Sequence, residues 1–430
     1  MPGHKGREVV GCEKYDITEI EGADVLYSSG GIIRESENIA SELFGSARTV
    51  YSAEGSSLAI RAMVYMIKLY ASSHGKEAVI AAGRNAHKTF ITATALCGVE
   101  TEWMYGENAG SVLSCSISPQ YLDSFLGGLK KKPAAVYVTS PDYTGNITDI
   151  NALSQICKKH GVLLLVDNAH GAYFRFLAQD IHPITLGADM CCDSAHKTLR
   201  VITGGAYLHI GASAPEEFAQ MAENAMSIFA STSPSYLILQ SLDAANAYLA
   251  ESFRTELADL CRLTDELRAE LLSAGYTLCG NEPTKLTISP KSYGYTGEEL
   301  AAILRLEGAE CEFADPDYTV MMLTPQTPEA DVRKAIRLLT SLPKRNKITA
   351  LAPAPCKNPV RLTAREALFA PCEELEADKC KGRILASPTV SCPPAVPIAV
   401  CGEEIGESAI ECFRYYGIRT CRVVKNQSQR

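Results

Sequence analysis

The sequence of 430 residues lacks several features that would assign it to a membrane, a secreted scaffold or a zinc site. No apolar run approaches the ~20 residues that a transmembrane helix needs, and Met1–Gly6 has no signal-peptide core. The 16 cysteines form no CxxC pair and no Cys/His cluster at zinc spacing. The absence of these features predicts a cytoplasmic protein without a bound metal, whose cysteines are mostly small buried hydrophobic residues.

A strong charge of one sign is also missing. Charged residues make up 21% of the chain, hydrophobic residues 46%, and the net charge is −9. This balance is ordinary for a globular protein and argues against nucleic acid and anionic membranes as partners. A chain of this length can bury a large core and is expected to form two or three domains.

The segment from about residue 46 to residue 206 alternates helix-like and strand-like patterns. Within it, Val162–Asp167 is a continuous apolar run without alternation, which is typical of a central parallel strand covered on both faces. The alternation predicts an α/β fold with a mostly parallel central sheet flanked by helices. Ligands bind at the carboxyl ends of the strands in such sheets, and Asp167 is at such an end.

The pattern changes twice after this segment. It is helical after about residue 212, and strands and helices mix again between residues 275 and 342. Residues 350–355 are rich in alanine and proline and resemble a linker. We therefore predict a large domain over residues 1–250, a smaller α/β domain over residues 251–345 and a C-terminal domain over residues 346–430.

The most informative stretch is Asp193–Thr203, about 25 residues beyond Asp167. It places Lys197 beside small hydroxyl residues and a histidine. A strand-end acid followed by such a lysine suits pyridoxal 5′-phosphate (PLP), because the aldehyde forms a Schiff base with a lysine and a carboxylate keeps the pyridine nitrogen protonated. We predict that Lys197 binds PLP and that Asp167 pairs with the ring nitrogen through a charge-assisted hydrogen bond.

Neighbouring residues suggest the rest of this cofactor site. Ala169 is small enough to pack against a ring face, and His170 could reach the phenolic oxygen or could be a structural turn residue. Ser56 and Ser57 start a helix, where backbone N–H groups form an anion site for the phosphate. His87 follows a short strand and is placed to stack on the ring face opposite the lysine.

Several ordered motifs accompany these residues. They are Pro2–Gly6 (PGHKG), Phe44–Ala47, Gly55–Ser57, Arg84–Lys88 (RNAHK), Asp167–Gly171 (DNAHG), Ser194–Thr198 (SAHKT), Ser231–Tyr236 (STSPSY), Gly382–Ile384, Cys392–Pro397 and Gly402–Glu403. As a set they resemble the Orn/Lys/Arg decarboxylase family, which is PLP-dependent, has fold type I like aspartate aminotransferase, and is represented here in its short form without an N-terminal wing domain. The chain begins inside the first motif, where members usually carry a further helical segment, so the start is expected to be assigned late or the segment lost.

The resemblance implies roles for individual residues. Lys197 would bind PLP, Asp167 would pair with the ring nitrogen and His87 would stack on the ring. The implied phosphate ligands are Ser56, Ser57, Ser194 and His196. Thr232 or Ser233 would reach the phosphate of a neighbouring subunit, which implies a homodimer or a higher homo-oligomer with shared active sites.

The sequence departs from the family pattern at a few positions. Asn168 stands where DEAHG has glutamate, and Cys392, Ala395 and Cys401 stand where the C-terminal motifs have tyrosine, glycine and proline. None of these touches the residues proposed to hold PLP. The C-terminal changes leave the details of substrate binding open.

The implied reaction is α-decarboxylation of a basic L-amino acid (arginine, lysine or ornithine) to the amine and CO2, in polyamine biosynthesis or amino-acid catabolism. Lys197 and His196 are candidates to return a proton to Cα. Asp16, Glu19 and Asp24 are candidates to bind the cationic side chain of the substrate, or they are an ordinary solvated charge cluster.

Two other functions stay open. One is a different fold type I enzyme, an aminotransferase or a lyase, in which an arginine of the small domain binds the substrate carboxylate. Arg305, Arg333 and Arg337 are the candidates for this role, and all three have the pattern of helix-surface residues. The other is a non-catalytic homologue that serves as a binding or regulatory subunit.

Overall fold

The computed structural model describes residues 2–107, 114–354, 357–391 and 397–426. Within it the chain divides into two compact units built from separate segments. The first unit comprises Met1–Ala81, Leu122–Ser140 and Asp149–Leu257, and the second comprises Ala82–Tyr121, Pro141–Thr148 and Ala258–Arg430. The three-domain division with cuts after residues 250 and 345 stays a prediction. The linker at 350–355 and the motif at 392–397 lie partly outside the described residues.

The alternating segment forms helices and strands close to the predicted positions. In chain order these are α1 (Ile32–Phe44), β1 (Arg48–Ser52), α2 (Gly55–Ser73), β2 (Val79–Gly83), α3 (Lys88–Cys97), β3 (Glu100–Met104), α4 (Pro119–Gly128), β4 (Ala135–Thr139), α5 (Ile150–His160), β5 (Leu163–Asp167), β6 (Met190–Asp193), α6 (Ala195–Thr198) and β7 (Ala206–Ile210).

These strands form a seven-stranded sheet in the order β1-β7-β6-β5-β4-β2-β3. Strands β4, β5 and β6 are parallel, whereas β7 runs antiparallel to both β6 and β1. The inner residues of β5 are fully buried, as the unbroken apolar run predicted. The prediction of an α/β fold with a mostly parallel central sheet is therefore confirmed.

Local signals in the sequence explain where α5 and β5 begin and end. The side chain of Asp149 accepts a hydrogen bond from the backbone N–H of Ala152 and caps the start of α5. Gly161 ends the helix with φ +67°, in the left-handed region that glycine adopts at no steric cost. The chain then enters β5, whose last residue, Asp167, lies beside Thr139 of β4.

Three helices follow the large sheet. They are α7 (Glu216–Ser227), α8 (Tyr236–Glu251) and α9 (Phe253–Ala274). The helical pattern predicted after about residue 212 is confirmed, and α8 ends at Ser252, directly before α9. No helix among the described residues is long and apolar enough to cross a lipid bilayer.

The smaller α/β part of the second unit has an antiparallel sheet in the order β10-β11-β9-β8. Its elements are β8 (Thr277–Cys279), β9 (Lys285–Ser289), α10 (Gly297–Leu306), β10 (Phe313–Ala314), β11 (Thr319–Met322) and α11 (Glu329–Ser341). Helix α10 begins with a reciprocal capping box between Thr296 and Glu299, which satisfies two backbone N–H groups at the helix start.

The C-terminal part of the second unit has a core of its own. Its elements are α12 (Ala364–Phe369), β12 (Cys372–Glu376), β13 (Thr389–Ser391), β14 (Pro397–Val400), α13 (Glu407–Tyr415) and β15 (Thr420–Val424). Strand β12 pairs with β15, and β13 pairs with β14. Ile398, Ile410, Phe413 and Val423 are buried together with Cys380, Cys412 and Cys421, so these cysteines are small core residues, as predicted.

Candidate active site

The acid predicted to pair with the cofactor lies at the carboxyl end of β5. Asp167 is only 3% exposed. Its carboxylate accepts hydrogen bonds from the Tyr137 hydroxyl at 3.0 Å, from the backbone N–H of Ala169 at 3.2 Å and from the Cys192 thiol at 3.6 Å. All three donors are neutral, so they orient the carboxylate without supplying the positive charge that a buried carboxylate favours.

The surroundings of Asp167 suit a protonated pyridine nitrogen, which would supply that charge. Burial and the neighbouring Asp167 carboxylate raise the pKa of Tyr137 well above its ordinary value, so Tyr137 remains a hydrogen-bond donor. Burial likewise raises the pKa of Cys192, which therefore remains a neutral thiol. The donor set thus fits the ring nitrogen of PLP.

The predicted Schiff-base lysine lies beside the histidine of the Asp167 motif. Lys197 is in the short helix α6, directly after β6, and its Nζ lies 2.9 Å from Nε2 of His170. His170 is 6% exposed, whereas Lys197 is half-buried. The two motifs that the sequence singled out therefore meet, and the imidazole of His170 contacts the amine that would bind the cofactor.

The predicted phosphate ligands converge at the start of α2. The Ser194 hydroxyl donates to the Ser56 hydroxyl at 2.8 Å, and Ser56 and Ser57 occupy the first turn of this 19-residue helix. Gly55, with φ +72°, donates its N–H to the carbonyl of Gly204 at 2.7 Å. Backbone N–H groups and hydroxyls at a helix start bind anions, so this arrangement fits a phosphate group.

His196 is fixed by the loop before β7. Its backbone N–H donates to the carbonyl of Gly205 at 3.0 Å, and its ring Nδ1 lies 3.0 Å from the same oxygen. A ring nitrogen beside a carbonyl oxygen carries the proton. The Nδ1–H of His196 therefore donates to Gly205 and sets the orientation of the ring.

The described contacts do not test the roles predicted for two further cofactor residues, His87 and Thr232. His87 belongs to the second unit, where its ring accepts the N–H of Thr89 and caps the start of α3. Thr232 is exposed in the loop before α8. The stacking role of His87 and the role of Thr232 across a subunit boundary stay predictions.

The loop that carries His87 has a partner that sequence reasoning missed. Arg84, three residues earlier, forms a buried ion pair with Glu403 of the C-terminal part. Its guanidinium also lies 5.1 Å from the ring centre of Trp103 and 5.4 Å from that of Tyr105. The resemblance placed Arg84 and Glu403 in separate motifs, and no local signal links them.

Sequence reasoning also missed a cluster of titratable side chains around Asp193, the residue before Ser194. Asp193, the last residue of β6, lies beside His182 and His209, and all three are fully buried. One potential metal-ligating atom from each lies within 4.8 Å of the others. The sequence predicted no metal site, because these residues are not at ligand spacing along the chain.

Two of the three acids proposed to bind the substrate side chain, Asp16 and Asp24, already have partners. The Asp24 carboxylate accepts backbone N–H groups of Val25, Gly30, Gly31 and Ile33. Burial alone would raise the pKa of Asp24, but these four donors outweigh burial and lower it. Asp16 lies 3.2 Å from the His4 ring. The structure gives Asp24 a local role in shaping the turn before α1.

Two of the three arginines proposed for an aminotransferase, Arg305 and Arg333, also have partners. Arg305 pairs with Glu310 and Arg333 with Glu329 and Glu266, all with exposed or half-exposed side chains. Arg337 is exposed on α11. Surface ion pairs of this kind do not resemble a buried carboxylate-binding site, which disfavours the aminotransferase alternative.

Comparison with known proteins agrees with the fold. The structure superposes on lysine decarboxylase A from Pseudomonas aeruginosa with a TM-score of 0.81, covering 99% of this chain and 78% of that chain at 16% identity. The lysine decarboxylase LdcF of Francisella novicida gives 0.78 with the same coverage and identity. The fold is therefore that of the PLP-dependent enzymes of fold type I.

The sequence comparison identifies the family within the fold type I enzymes. The profile of the Orn/Lys/Arg decarboxylase major domain matches residues 11–287. An arginine decarboxylase of Bacillus subtilis (strain 168) is 28% identical over 446 aligned residues, which cover 95% of this chain and 88% of the relative. The chain belongs to the Orn/Lys/Arg decarboxylase family and is a PLP-dependent amino-acid decarboxylase.

Proposed function

We propose that this protein decarboxylates L-arginine at Cα and releases agmatine and CO2. The observation that carries the reaction is the buried carboxylate of Asp167 at the end of β5, with neutral donors only, in the unit where Lys197 contacts His170. The choice of arginine rests on the relative named arginine decarboxylase, which aligns with 95% of this chain. Agmatine is a polyamine precursor, so a role in polyamine biosynthesis follows.

Asp167 has the task of keeping the ring nitrogen of the cofactor protonated. PLP, when bound, accepts the electron pair that remains at Cα after the carboxylate leaves. Asp167 does this best while ionised, and three hydrogen-bond donors hold its carboxylate in place. Tyr137 and Cys192 approach different oxygens of the carboxylate, so together they fix its plane.

Lys197 would hold the cofactor through its amine. His170 lies 2.9 Å from this amine and positions it by a hydrogen bond. Lys197 or His196 then delivers a proton to Cα, because both belong to α6 and both carry exchangeable protons. This last step completes the amine product.

Ser56, Ser57, Ser194 and His196 are proposed to hold the phosphate. The contact between Ser56 and Ser194 shows that hydroxyls from α2 and from the end of β6 lie within one phosphate diameter. Ala169 is proposed to pack on one face of the ring and His87 on the other. Thr232, on an exposed loop, is proposed to complete the phosphate site of a neighbouring subunit in a homodimer.

A product assay tests the proposal. Purified protein loaded with PLP is incubated separately with L-arginine, L-lysine and L-ornithine, and the amines are quantified by mass spectrometry. Agmatine as the dominant product supports the proposal. Cadaverine or putrescine as the dominant product would leave the decarboxylase standing and refute arginine as the preferred substrate.

A second arm separates decarboxylation from the remaining alternatives. The same protein is incubated with each amino acid and 2-oxoglutarate, and glutamate formation is measured. Glutamate without amine would identify an aminotransferase. Absence of both, together with no visible absorption from lysine-bound PLP, would point to a non-catalytic homologue.

A further inference from the structure

The end of β6 carries a buried cluster that the proposed reaction does not use. His182, Asp193 and His209 are each 0% exposed. Nε2 of His182 lies 2.9 Å from Oδ2 of Asp193, and Nε2 of His209 lies 3.2 Å from the same oxygen. Asp193 immediately precedes Ser194, a proposed phosphate ligand, so the cluster adjoins the proposed phosphate site along the chain.

The other oxygen of Asp193 reaches the neighbouring strand. Oδ1 accepts a hydrogen bond from Nδ2 of Asn168 at 2.7 Å. Asn168 is fully buried and directly follows Asp167. One carboxylate therefore connects the end of β5, which carries the proposed ring-nitrogen partner, to the end of β6, which leads into the cofactor lysine.

The protonation of the cluster follows from its contacts. The backbone N–H of Ile184 donates to Nδ1 of His182 at 3.4 Å, so Nε2 of His182 carries the proton that is donated to Asp193. Nδ1 of His209 lies 2.8 Å from the hydroxyl of Thr49 in β1. Burial alone would raise the pKa of Asp193, but the two histidines outweigh burial and lower it.

An ionised carboxylate at position 193 determines which residue position 168 can hold. A hydrogen-bond donor is stabilised at 2.7 Å from that carboxylate, whereas a second carboxylate in the same dry environment would be repelled. The motif that the chain resembles has glutamate at position 168, and this chain has asparagine. The departure thus has a physical reason in this structure.

We propose that Asn168 and Asp193 are a matched positioning pair for the cofactor site: Asp193, held by His182 and flanked by His209, fixes Asn168 and thereby the spacing of Asp167 and Lys197. The proposal rests on the proposed PLP function of these two residues. Neither Asn168 nor Asp193 touches the reacting atoms, so their effect passes through the geometry of β5 and β6.

An exchange of donor and acceptor tests the pair. Asn168→Asp alone puts two carboxylates at hydrogen-bonding distance, and we expect a lower melting temperature, at least tenfold weaker PLP binding and an altered circular dichroism of bound PLP. Asp193→Asn alone leaves one amide oxygen where two carboxylate oxygens accepted from Asn168 and His182, so one of these two donors loses its acceptor. The double variant, Asn168→Asp with Asp193→Asn, restores a donor–acceptor pair of the same size, and we expect it to regain most of the PLP affinity and the dichroism.

Asp189→Asn is the matched control, because Asp189 is a buried carboxylate directly before β6, at the end away from Ser194. It accepts the N–H of Leu164 at 2.7 Å and the Ser213 hydroxyl at 3.3 Å. We expect this variant to lower the melting temperature but to leave PLP affinity and the dichroism of bound PLP unchanged. In Asn168→Asp, kcat should fall while KM for the amino acid stays within about twofold, since position 168 acts through Asp167.

Three outcomes would overturn the proposal. The first is a double variant that binds PLP no better than Asn168→Asp. The second is a response of Asp189→Asn equal to that of Asn168→Asp, which would indicate a general loss of stability. The third is one equivalent of a divalent metal in the purified protein, lost in Asp193→Asn, which would make the cluster a metal site. A wild-type protein that forms no lysine-bound PLP would instead contradict the proposed function itself.

Discussion

Arg84 and Glu403 form a two-pronged ion pair although 319 residues separate them in the chain. Nη1 of Arg84 lies 2.7 Å from Oε1 of Glu403, and Nη2 lies 2.8 Å from Oε2. Glu403 also accepts the N–H of Val400 and the amide of Asn358. The C-terminal part therefore holds the loop that leads to His87 through one fully buried carboxylate.

Removal of the charge of Glu403 should strongly destabilise the protein. Because Arg84 would remain buried without its partner, Glu403→Gln is expected to cost about 3–5 kcal/mol in the free energy of unfolding. Glu404→Gln is the matched control, since the next residue pairs with Arg361 on the surface and should cost about 1 kcal/mol or less. Urea unfolding of both variants measures the difference, and equal losses would contradict the assignment.

Lys197→Ala should remove the visible absorption of bound PLP and abolish turnover, because it removes the amine that would bind the cofactor and that contacts His170. Absorption spectra after addition of PLP and gel filtration measure the effect. Lys159→Ala, on the exposed face of α5, should keep the wild-type spectrum. Normal activity of Lys197→Ala would refute the assignment of the cofactor lysine.

Asp167→Asn should bind PLP but lower kcat by roughly a hundredfold or more, since an amide cannot keep the ring nitrogen protonated. Tyr137→Phe should have a smaller effect, because Ala169 and Cys192 still donate to the carboxylate. Steady-state kinetics with L-arginine give both values. A larger loss of kcat in Tyr137→Phe than in Asp167→Asn would show that the phenol of Tyr137, and not the carboxylate of Asp167, contributes most to the rate.

Ser56→Ala should weaken PLP binding about tenfold or more, as expected for the loss of a hydrogen bond to a charged group. Ser73→Ala, in the exposed last turn of the same helix, is the control and should leave the affinity unchanged. Fluorescence titration of the apoprotein with PLP measures both dissociation constants. An unchanged constant in Ser56→Ala would place the phosphate elsewhere.

Glu37 should make stability depend on pH. Burial raises the pKa of Glu37 to about 7, and Arg48 and the N–H of Tyr51 offset this only in part. Because the pKa in the folded state lies above the ordinary value of 4.5, the folded protein binds the proton more tightly. The bound proton on Glu37 therefore stabilises the folded state. This contribution to stability is present below about pH 4.5 and is lost as the pH rises through about 7.

The variant Glu37→Gln isolates this effect. It keeps an acceptor for Tyr51 and does not titrate, so the unfolding free energy of the wild type relative to the variant should fall by up to ~3 kcal/mol between about pH 4.5 and about pH 8. Urea unfolding across this range gives the difference. A constant or rising difference would show that Arg48 keeps Glu37 ionised throughout.

Much of the fold and the centre of the site could be predicted from local patterns. The apolar run of β5, the glycine at the end of α5 and the Gly-Ser-Ser start of α2 are signals carried by neighbouring residues, and Asp167, Lys197, Ser56 and Ser194 follow from them. The sequence did not predict the contact between Lys197 and His170 that joins the two central motifs.

The partners of these residues could not be predicted, because they depend on strand pairing. Tyr137 reaches Asp167 only because β4 and β5 pair with Thr139 beside Asp167. His209 reaches Asp193 through the pairing of β6 with β7. Neither contact leaves a periodic signal, although a tyrosine inside an apolar strand indicates that its hydroxyl needs a buried partner.

The pairing of β1 with β7 has a consequence for synthesis of the chain. Ser52, at the end of β1, pairs with Ala206 of β7. The start of α2, which follows β1 and carries the serine hydroxyls, therefore reaches its final position only after a strand about 150 residues later has been synthesised. At about 5–20 residues per second, the ribosome needs on the order of ten to thirty seconds to supply it. During that interval β1 has no partner strand, and the nascent chain cannot take up its cofactor before β7 has emerged.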